Sequence, residues 1–477
     1  MHRPRRIVKT IGLIGTASLV CLAFLAPGLT PLARGDEPTT ATVAINATDA
    51  IDAPKKVIVY DDWFTDEAMR VDLFHTGTAT ESVYSLDEIV WEPLWPGTRE
   101  HVLDPFNYGA YRYRVKDAAS SREIFRMGYG SLFGEWVTTQ EAMDQVRRSM
   151  SESVRFPWPK KPIVLAIDRR QPSGVFEEVY ALAIDPNSHQ INRVRKHQGF
   201  EVITLAESLQ PREPSRSLDV VILPEGYARE DEGKLRADFA RFVEAFLSTP
   251  PWTSLRDRLT LRGILAYSQD SGVTEPRKGV FRDTLFGATF NTFDSPRYLT
   301  IMHTKTMREV ASLVPYDAVF IMVNSARYGG GGVYNQWAIF TSDNEYDDYV
   351  MLHEFGHSMG GLGDEYYDSA VSTDEDAMYP PGVEPWEPNI SAFLGNQRDG
   401  IKWHSRISEG TPVPTPETES YASVVGLFEG AGYKAKGLFR PQADCKMFHK
   451  GLVPFCSVCS TAIQQMTFYY TDESRFR

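Results

Sequence analysis

The sequence predicts a multidomain α+β chain, with a β-sandwich in its first half and an α/β layer in its second. Three observations predict it. Between residues 56 and 192, β-rich runs are separated by Gly, Pro and Asp turns. From residue 217 onward, continuous apolar runs of strand length alternate with stretches of helical period. The intervening 193–216 is charged and carries Pro211 and Pro214, a linker composition. A chain of 477 residues has room for two or three domains at roughly 100–200 residues each.

Residues 1–35 read as an export signal. Arg3, Arg5, Arg6 and Lys9 form a basic start, an apolar run covers 11–29, and Ala33-Arg34-Gly35 places small residues for cleavage after Gly35. Pro27, Gly28 and Pro31 break the far end of the run, which favours cleavage over retention as an anchor. Cys21 lacks the small residue just before it that a lipidated cysteine needs. No later stretch is apolar enough to span a membrane, so the expected location is secreted or cell-envelope, without stable membrane insertion. Residues 36–55, rich in Thr, Ala and Asp, read as a linker.

In the first domain, 56–192, the runs 57–60, Tyr111-Arg112-Tyr113-Arg114-Val115 and Ile163-Val164-Leu165-Ala166-Ile167 are strand-like. The second alternates cleanly, as a half-solvated antiparallel strand requires. His75 and His101 stand alone and are expected to be structural. In the second domain, 217–477, the run 218–223 is a buried strand. Leu235, Phe239, Phe242, Val243 and Phe246 then recur with helical spacing across 229–247. Strands are expected at 259–267 and 318–323, with a helix near 307–313.

The net charge of -13 comes from interspersed acids and bases, with no basic face for a nucleic acid. After signal removal three cysteines remain: Cys445, Cys456 and Cys459. One disulfide and one free thiol are expected, with Cys445–Cys459 favoured over Cys445–Cys456. Three thiols are too few for a four-thiolate zinc.

The chemistry concentrates in His353-Glu354-Phe355-Gly356-His357, preceded by an acidic helix start at Asp347-Asp348. Residues four apart project from one helix face, so His353 and His357 can both ligate one Zn²⁺. Glu354 then lies beside the metal without ligating it, placed to act as general base toward a metal-activated water. A catalytic zinc needs a third protein ligand and an open position. Gly360, Gly361 and Gly363 break the helix, and Asp364 is the first ligand type beyond that turn, with Glu365 next.

This segment resembles the metzincin pattern, in which a glycine turn delivers the third ligand. Asp364 stands where that pattern has histidine, and the turn is one residue longer. Met447, within Asp444-Cys445-Lys446-Met447-Phe448-His449, corresponds to the methionine turn beneath the metal. Over nearly everything after residue 56, the chain resembles the IgA-peptidase family of zinc metallopeptidases. The likeness rests on the His353 to Tyr366 segment, Tyr328-Gly329-Gly330-Gly331-Gly332, Thr411-Pro412-Val413-Pro414-Thr415, Val425-Gly426-Leu427-Phe428-Glu429-Gly430 and the Cys445 to Cys459 segment. In the first half, Phe133-Gly134-Glu135-Trp136-Val137-Thr138-Thr139 and Pro157-Trp158-Pro159-Lys160 are similar to that family's N-terminal β domain. The resemblance implies a metzincin-like catalytic domain, one zinc ion and hydrolysis of a protein or peptide substrate. It does not imply that immunoglobulin A is that substrate. Some metzincins place a tyrosine two residues after the turn methionine as oxyanion donor; here that position is His449.

The expected site is therefore His353, His357 and Asp364 on zinc, with Glu354 and His449 as catalytic groups. The segments 329–332 and 336–341 can form a strand edge for an extended substrate, with a flexible surface loop the equal alternative for the glycine run. Three other readings compete. A non-catalytic adhesion protein with a structural zinc has no use for Glu354. An aminopeptidase of gluzincin type needs a helical glutamate ligand, yet Glu384 and Glu387 sit among prolines. A zinc amidase acting on cell-wall peptides fits the same motif.

Overall fold

Antiparallel strand pairing organises the first half of the chain, as seen in a computed structural model that describes residues 57–207, 212–367 and 375–471. The expected signal at 1–35 and linker at 36–55 lie outside these residues. Seven strands follow one another: β1 (Phe64–Gly77), β2 (Ser82–Glu92), β3 (Tyr111–Asp117), β4 (Glu123–Tyr129), β5 (Arg148–Pro159), β6 (Ile163–Arg170) and β7 (Phe176–Ile184). All pair antiparallel, in sheets of order β2-β1-β5 and β4-β3-β6-β7. In β3, Tyr111, Tyr113 and Val115 are buried and the residues between them half-buried, so one sheet face turns to a core. The two sheets face each other. Tyr113 donates across the gap to the Arg155 carbonyl at 2.5 Å, and the Tyr84 and Tyr129 hydroxyls lie 3.3 Å apart. His75 sits fully buried between Tyr84 and Phe133 with Nδ1 2.8 Å from Glu152, a structural position.

The expected strand at 57–60 is corrected. Val57 and Val59 are exposed, and Tyr60–Trp63 is a single helical turn before β1 begins. Ile58 and Tyr60 pack against the core, but no neighbouring strand pairs with the run to hold it in a sheet.

The second half is built on six strands: β8 (Glu201–Ala206), β9 (Leu218–Glu225), β10 (Leu259–Leu265), β11 (Ala318–Val323), β12 (Gly330–Val333) and β13 (Trp337–Thr341). Their order is β12-β13-β11-β9-β10-β8; the four inner strands are parallel and the two outer ones antiparallel to their neighbours. Among the described residues, the helices longer than a single turn that accompany them are α1 (Glu232–Ser248), α2 (Thr304–Ala311), α3 (Asp347–Ser358) and α4 (Ser457–Thr471). β9 is buried at every position, as a parallel strand covered on both faces must be. In β11, Phe320 packs with Phe246 of α1 and Phe355 of α3, whereas Ile321 and Val323 share a second core with Met307 and Val310 of α2. One sheet thus holds α3 on one face and α2 on the other. A hairpin, β14 (Phe428–Ala431) and β15 (Lys434–Arg440), precedes α4.

The linker expected at 193–216 is also corrected, because it contains β8, the outer strand of this sheet. Its charge suits an edge: Glu201 is exposed and pairs with Arg236 of α1. The helix expected near 307–313 starts earlier, at Thr304, and ends at Ala311. The halves pack together, and Val57–Arg477 clusters as one compact unit. Gly130 donates to the Tyr334 carbonyl at 2.8 Å, and Arg155 lies 3.7 Å over the Tyr316 ring. Among the described residues no helix is long and apolar enough to cross a membrane.

Candidate active site

Asp347 and Asp348 open α3, where acidic side chains complement the helix dipole, and Val350, Met351, Leu352 and Phe355 bury its apolar side. His353 and His357, one turn apart, face the opposite way. Each ring is oriented by its Nδ1. That of His353 lies 3.2 Å from the Lys446 carbonyl, and that of His357 lies 2.6 Å from the Leu362 carbonyl. A carbonyl can only accept, so both Nδ1 atoms carry a hydrogen and both Nε2 atoms are left to face the site. The helix ends where Gly361 takes φ +64, a left-handed conformation suited to glycine. The chain then folds back, with Asn389 clamping both polar groups of the Gly363 backbone at 2.8 and 2.9 Å.

That return brings Asp364 to the histidines. Asp364 Oδ1 is 3.0 Å from His353 Nε2 and 3.2 Å from His357 Nε2, and the two Nε2 atoms are 3.1 Å apart. Tetrahedral ligands about 2.0–2.1 Å from a zinc ion are separated by about 3.3 Å, so this triangle has the size of three zinc ligands. Oδ1 is buried and accepts no regular hydrogen bond, while Oδ2 accepts one from Tyr433. Burial disfavours a charged His357, but the Asp364 carboxylate outweighs it and lifts the imidazole to about 10. The field that retains a proton there is the field a divalent cation would meet. These residues fit a metal ion.

Glu354 lies beside the triangle against β12. Burial pushes its carboxyl above the usual range, opposed by His353 and His357. Two glycines of β12 make this packing possible. A Cβ at Gly330 would fall 2.5 Å from Glu354 Oε1; one at Gly332 would meet the Glu354 carbonyl and fall 2.8 Å from His357 Cβ. We expect Gly332→Ala to push α3 from the sheet and destabilise the fold by about 1–3 kcal/mol, the usual scale of overpacking. An unchanged melting temperature with unchanged metal content would contradict this.

The triangle opens on a cleft of about 1180 Å³. Gly330, Gly331 and Gly332 line one wall with the free edge of β12, touched by a single bridge from Tyr298. The expected edge at 336–341 is corrected: β13 lies inside the sheet, and all five of its residues are buried. Glu384 and Glu387 also line the cleft, outside any helix. His449 lies on the wall with its side chain 58% exposed and Nδ1 2.7 Å from Asp444. Met447 is buried beneath α3, where a Cβ at Gly356 would come within 3.0 Å of its Sδ. Glu365 turns away from the triangle, with Oε1 3.1 Å from Cys459 Sγ.

The expected disulfide is absent: Cys445, Cys456 and Cys459 are all free and buried. Their sulfurs gather around a shared point with Glu365 instead of joining in a pair. Two groups near the site escaped the sequence reading. Tyr433 binds the third ligand type from the β14–β15 hairpin. Glu135, from the first half of the chain, accepts from Tyr298, and burial raises its carboxyl to about 7. A glutamate in a β domain carries no local signal of such a role.

Residues 203–421 and 417–467 match the family described as IgA Peptidase M64, and residues 59–181 match the one described as Peptidase M64 N-terminus. The chain belongs to the IgA peptidase M64 family. It is accordingly a metallopeptidase with a protein or peptide substrate, and the HExxH helix and its triangle lie inside the matched region. No curated protein matches the M64 chain. Among solved structures, it is similar to metalloproteinase-II from Bacteroides fragilis at 14% identity and a TM-score of 0.20, over 49% of this chain and 81% of that one.

Proposed function

We propose that this metallopeptidase is an exported, zinc-dependent endopeptidase with a metzincin-like catalytic domain. The observation that carries the reading is the triangle of His353, His357 and Asp364 with a buried carboxylate, Glu354, at the head of an open cleft. Two imidazole nitrogens and one carboxylate oxygen suit zinc. Zinc held there would supply Lewis acidity, activating water and polarising a scissile carbonyl. Glu354 takes the proton from the attacking water and returns it to the leaving amine. Met447 under α3 plays the part of a methionine turn. The edge of β12 offers backbone donors and acceptors to an extended chain, a mode that requires no free terminus.

His449 is the proposed oxyanion donor. Asp444 occupies its Nδ1, leaving Nε2 for the cleft. His449→Ala is expected to lower kcat by about 10²–10³-fold, as for loss of an oxyanion donor, with zinc content unchanged. Full kcat would assign the oxyanion to another group. Incubation with an unfolded protein, end-blocked peptides and free-amino peptides tests the cleavage mode. Cleavage within the blocked peptides is expected, and exclusive removal of N-terminal residues would refute endopeptidase action.

A further inference from the structure

Beneath the active site, four side chains converge that the proposed chemistry does not use. Glu365, Cys445, Cys456 and Cys459 each offer one ligand atom, and these atoms lie within 4.8 Å of one another. All four are buried, Glu365, Cys445 and Cys459 completely. We propose that they form a second metal site, a structural zinc bound by three thiolates and one carboxylate.

Four features carry the assignment. The first is spacing: Cys456-Ser457-Val458-Cys459 is a C-x₂-C pair of the kind that grips zinc, and Cys445 joins it from the Met447 turn. The second is the orientation of backbone donors. Cys456 N–H lies 3.2 Å from Cys445 Sγ, Cys459 N–H lies 3.3 Å from Cys456 Sγ, and Met447 N–H lies 3.5 Å from Cys445 Sγ. N–H groups aimed at sulfur stabilise a thiolate ligand, and the cysteine pair also sits at the start of α4, where the helix dipole favours negative charge.

The third feature is an unpaired carboxylate oxygen. Glu365 Oε1 accepts from Asn389 at 2.9 Å and contacts Cys459 Sγ at 3.1 Å, but the buried Oε2 has no hydrogen-bond partner. A carboxylate buried among three thiols is costly unless a cation neutralises it. The fourth is completeness. Structural zinc takes four ligands in a closed tetrahedral shell, with Cys sulfur and Glu oxygen both suitable donors. The cysteines supply three and Glu365 the last, so the shortage of thiols is made up by an oxygen.

The site would tie together three separate pieces of the catalytic centre. Glu365 follows the proposed ligand Asp364 directly, and its N–H donates to the Met447 carbonyl at 2.9 Å. Cys445 lies two residues before Met447, and Cys459 lies in α4. A metal bound here would hold the return loop, the methionine turn and α4 at fixed separation.

The test uses the full chain produced in zinc-containing medium and dialysed against metal-free buffer. Two zinc equivalents are expected in the wild-type chain and one in the His353→Ala/His357→Ala variant. Replacing the retained zinc of that variant with Co²⁺ is expected to give the near-ultraviolet charge-transfer absorption of thiolate-bound cobalt, and adding Cys456→Ser should abolish both metal and band. The variant retaining no metal, binding cobalt without the thiolate band, or showing a disulfide between any two cysteines on peptide mapping would overturn the assignment. The band reports the cysteine site alone. If wild type and variant both hold a single equivalent with the band, the cysteine site stands and the proposed catalytic zinc fails.

Discussion

Glu354→Gln should leave a folded, fully metallated protein whose kcat is lower by at least about 10²–10⁴-fold, the usual cost of losing acid–base catalysis. The substitution keeps the side-chain shape against Gly330, so packing of α3 on β12 is preserved. What it removes is a carboxylate that burial has pushed above its ordinary range, toward a proton affinity useful for both taking and returning a proton. Metal content by elemental analysis and kcat on an end-blocked peptide check it together. Near-normal turnover in the metallated variant would assign the base elsewhere, with Glu135 the next carboxyl in the cleft.

Asp364→Ala is the second large effect. It removes one corner of the ligand triangle and the anion that raises the proton affinity of His357. Loss of a partner outside the coordination shell typically costs 10–100-fold in metal affinity; removal of a ligand should cost at least about that much, and activity should fall in parallel. Zinc at the proposed catalytic site should leave on dialysis, while any held at the proposed cysteine site stays. Asp364 and Glu365, adjacent on the return loop, point to opposite sides, Asp364 to the histidines and Glu365 to the thiols. Asp364→Ala protein that retained wild-type kcat and both equivalents of metal would remove Asp364 from the site.

Much of this centre is legible in the order of its residues alone. His353, Glu354 and His357 are set by the pitch of one helix, and the glycines after them announce a reversal that leads to Asp364. Strand alternation in β3 and the continuous apolar run of β9 announce one exposed-face sheet and one doubly covered sheet. In each case the signal and the element it specifies occupy the same short segment. Two other segments have their conformation decided elsewhere in the chain. The apolar run at 57–60 has no neighbouring strand to pair with, and the charged stretch around β8 has one, β10.

The amino-acid sequence by itself determined the helix that carries His353, Glu354 and His357 and the family to which the chain belongs, because helical period and motif spacing act within a few residues. Only the tertiary structure decided which distant groups meet. Tyr433 reaches Asp364 across 69 residues, and Tyr298 reaches Glu135 across 163. The same is true of Glu365 and Cys459, 94 residues apart, whose meeting gathers a carboxylate and three apparently spare cysteines into one buried cluster. No local propensity encodes such convergence. It follows from how the sheet, the return loop and α4 pack, and a buried carboxylate finds its partners only after that packing is complete.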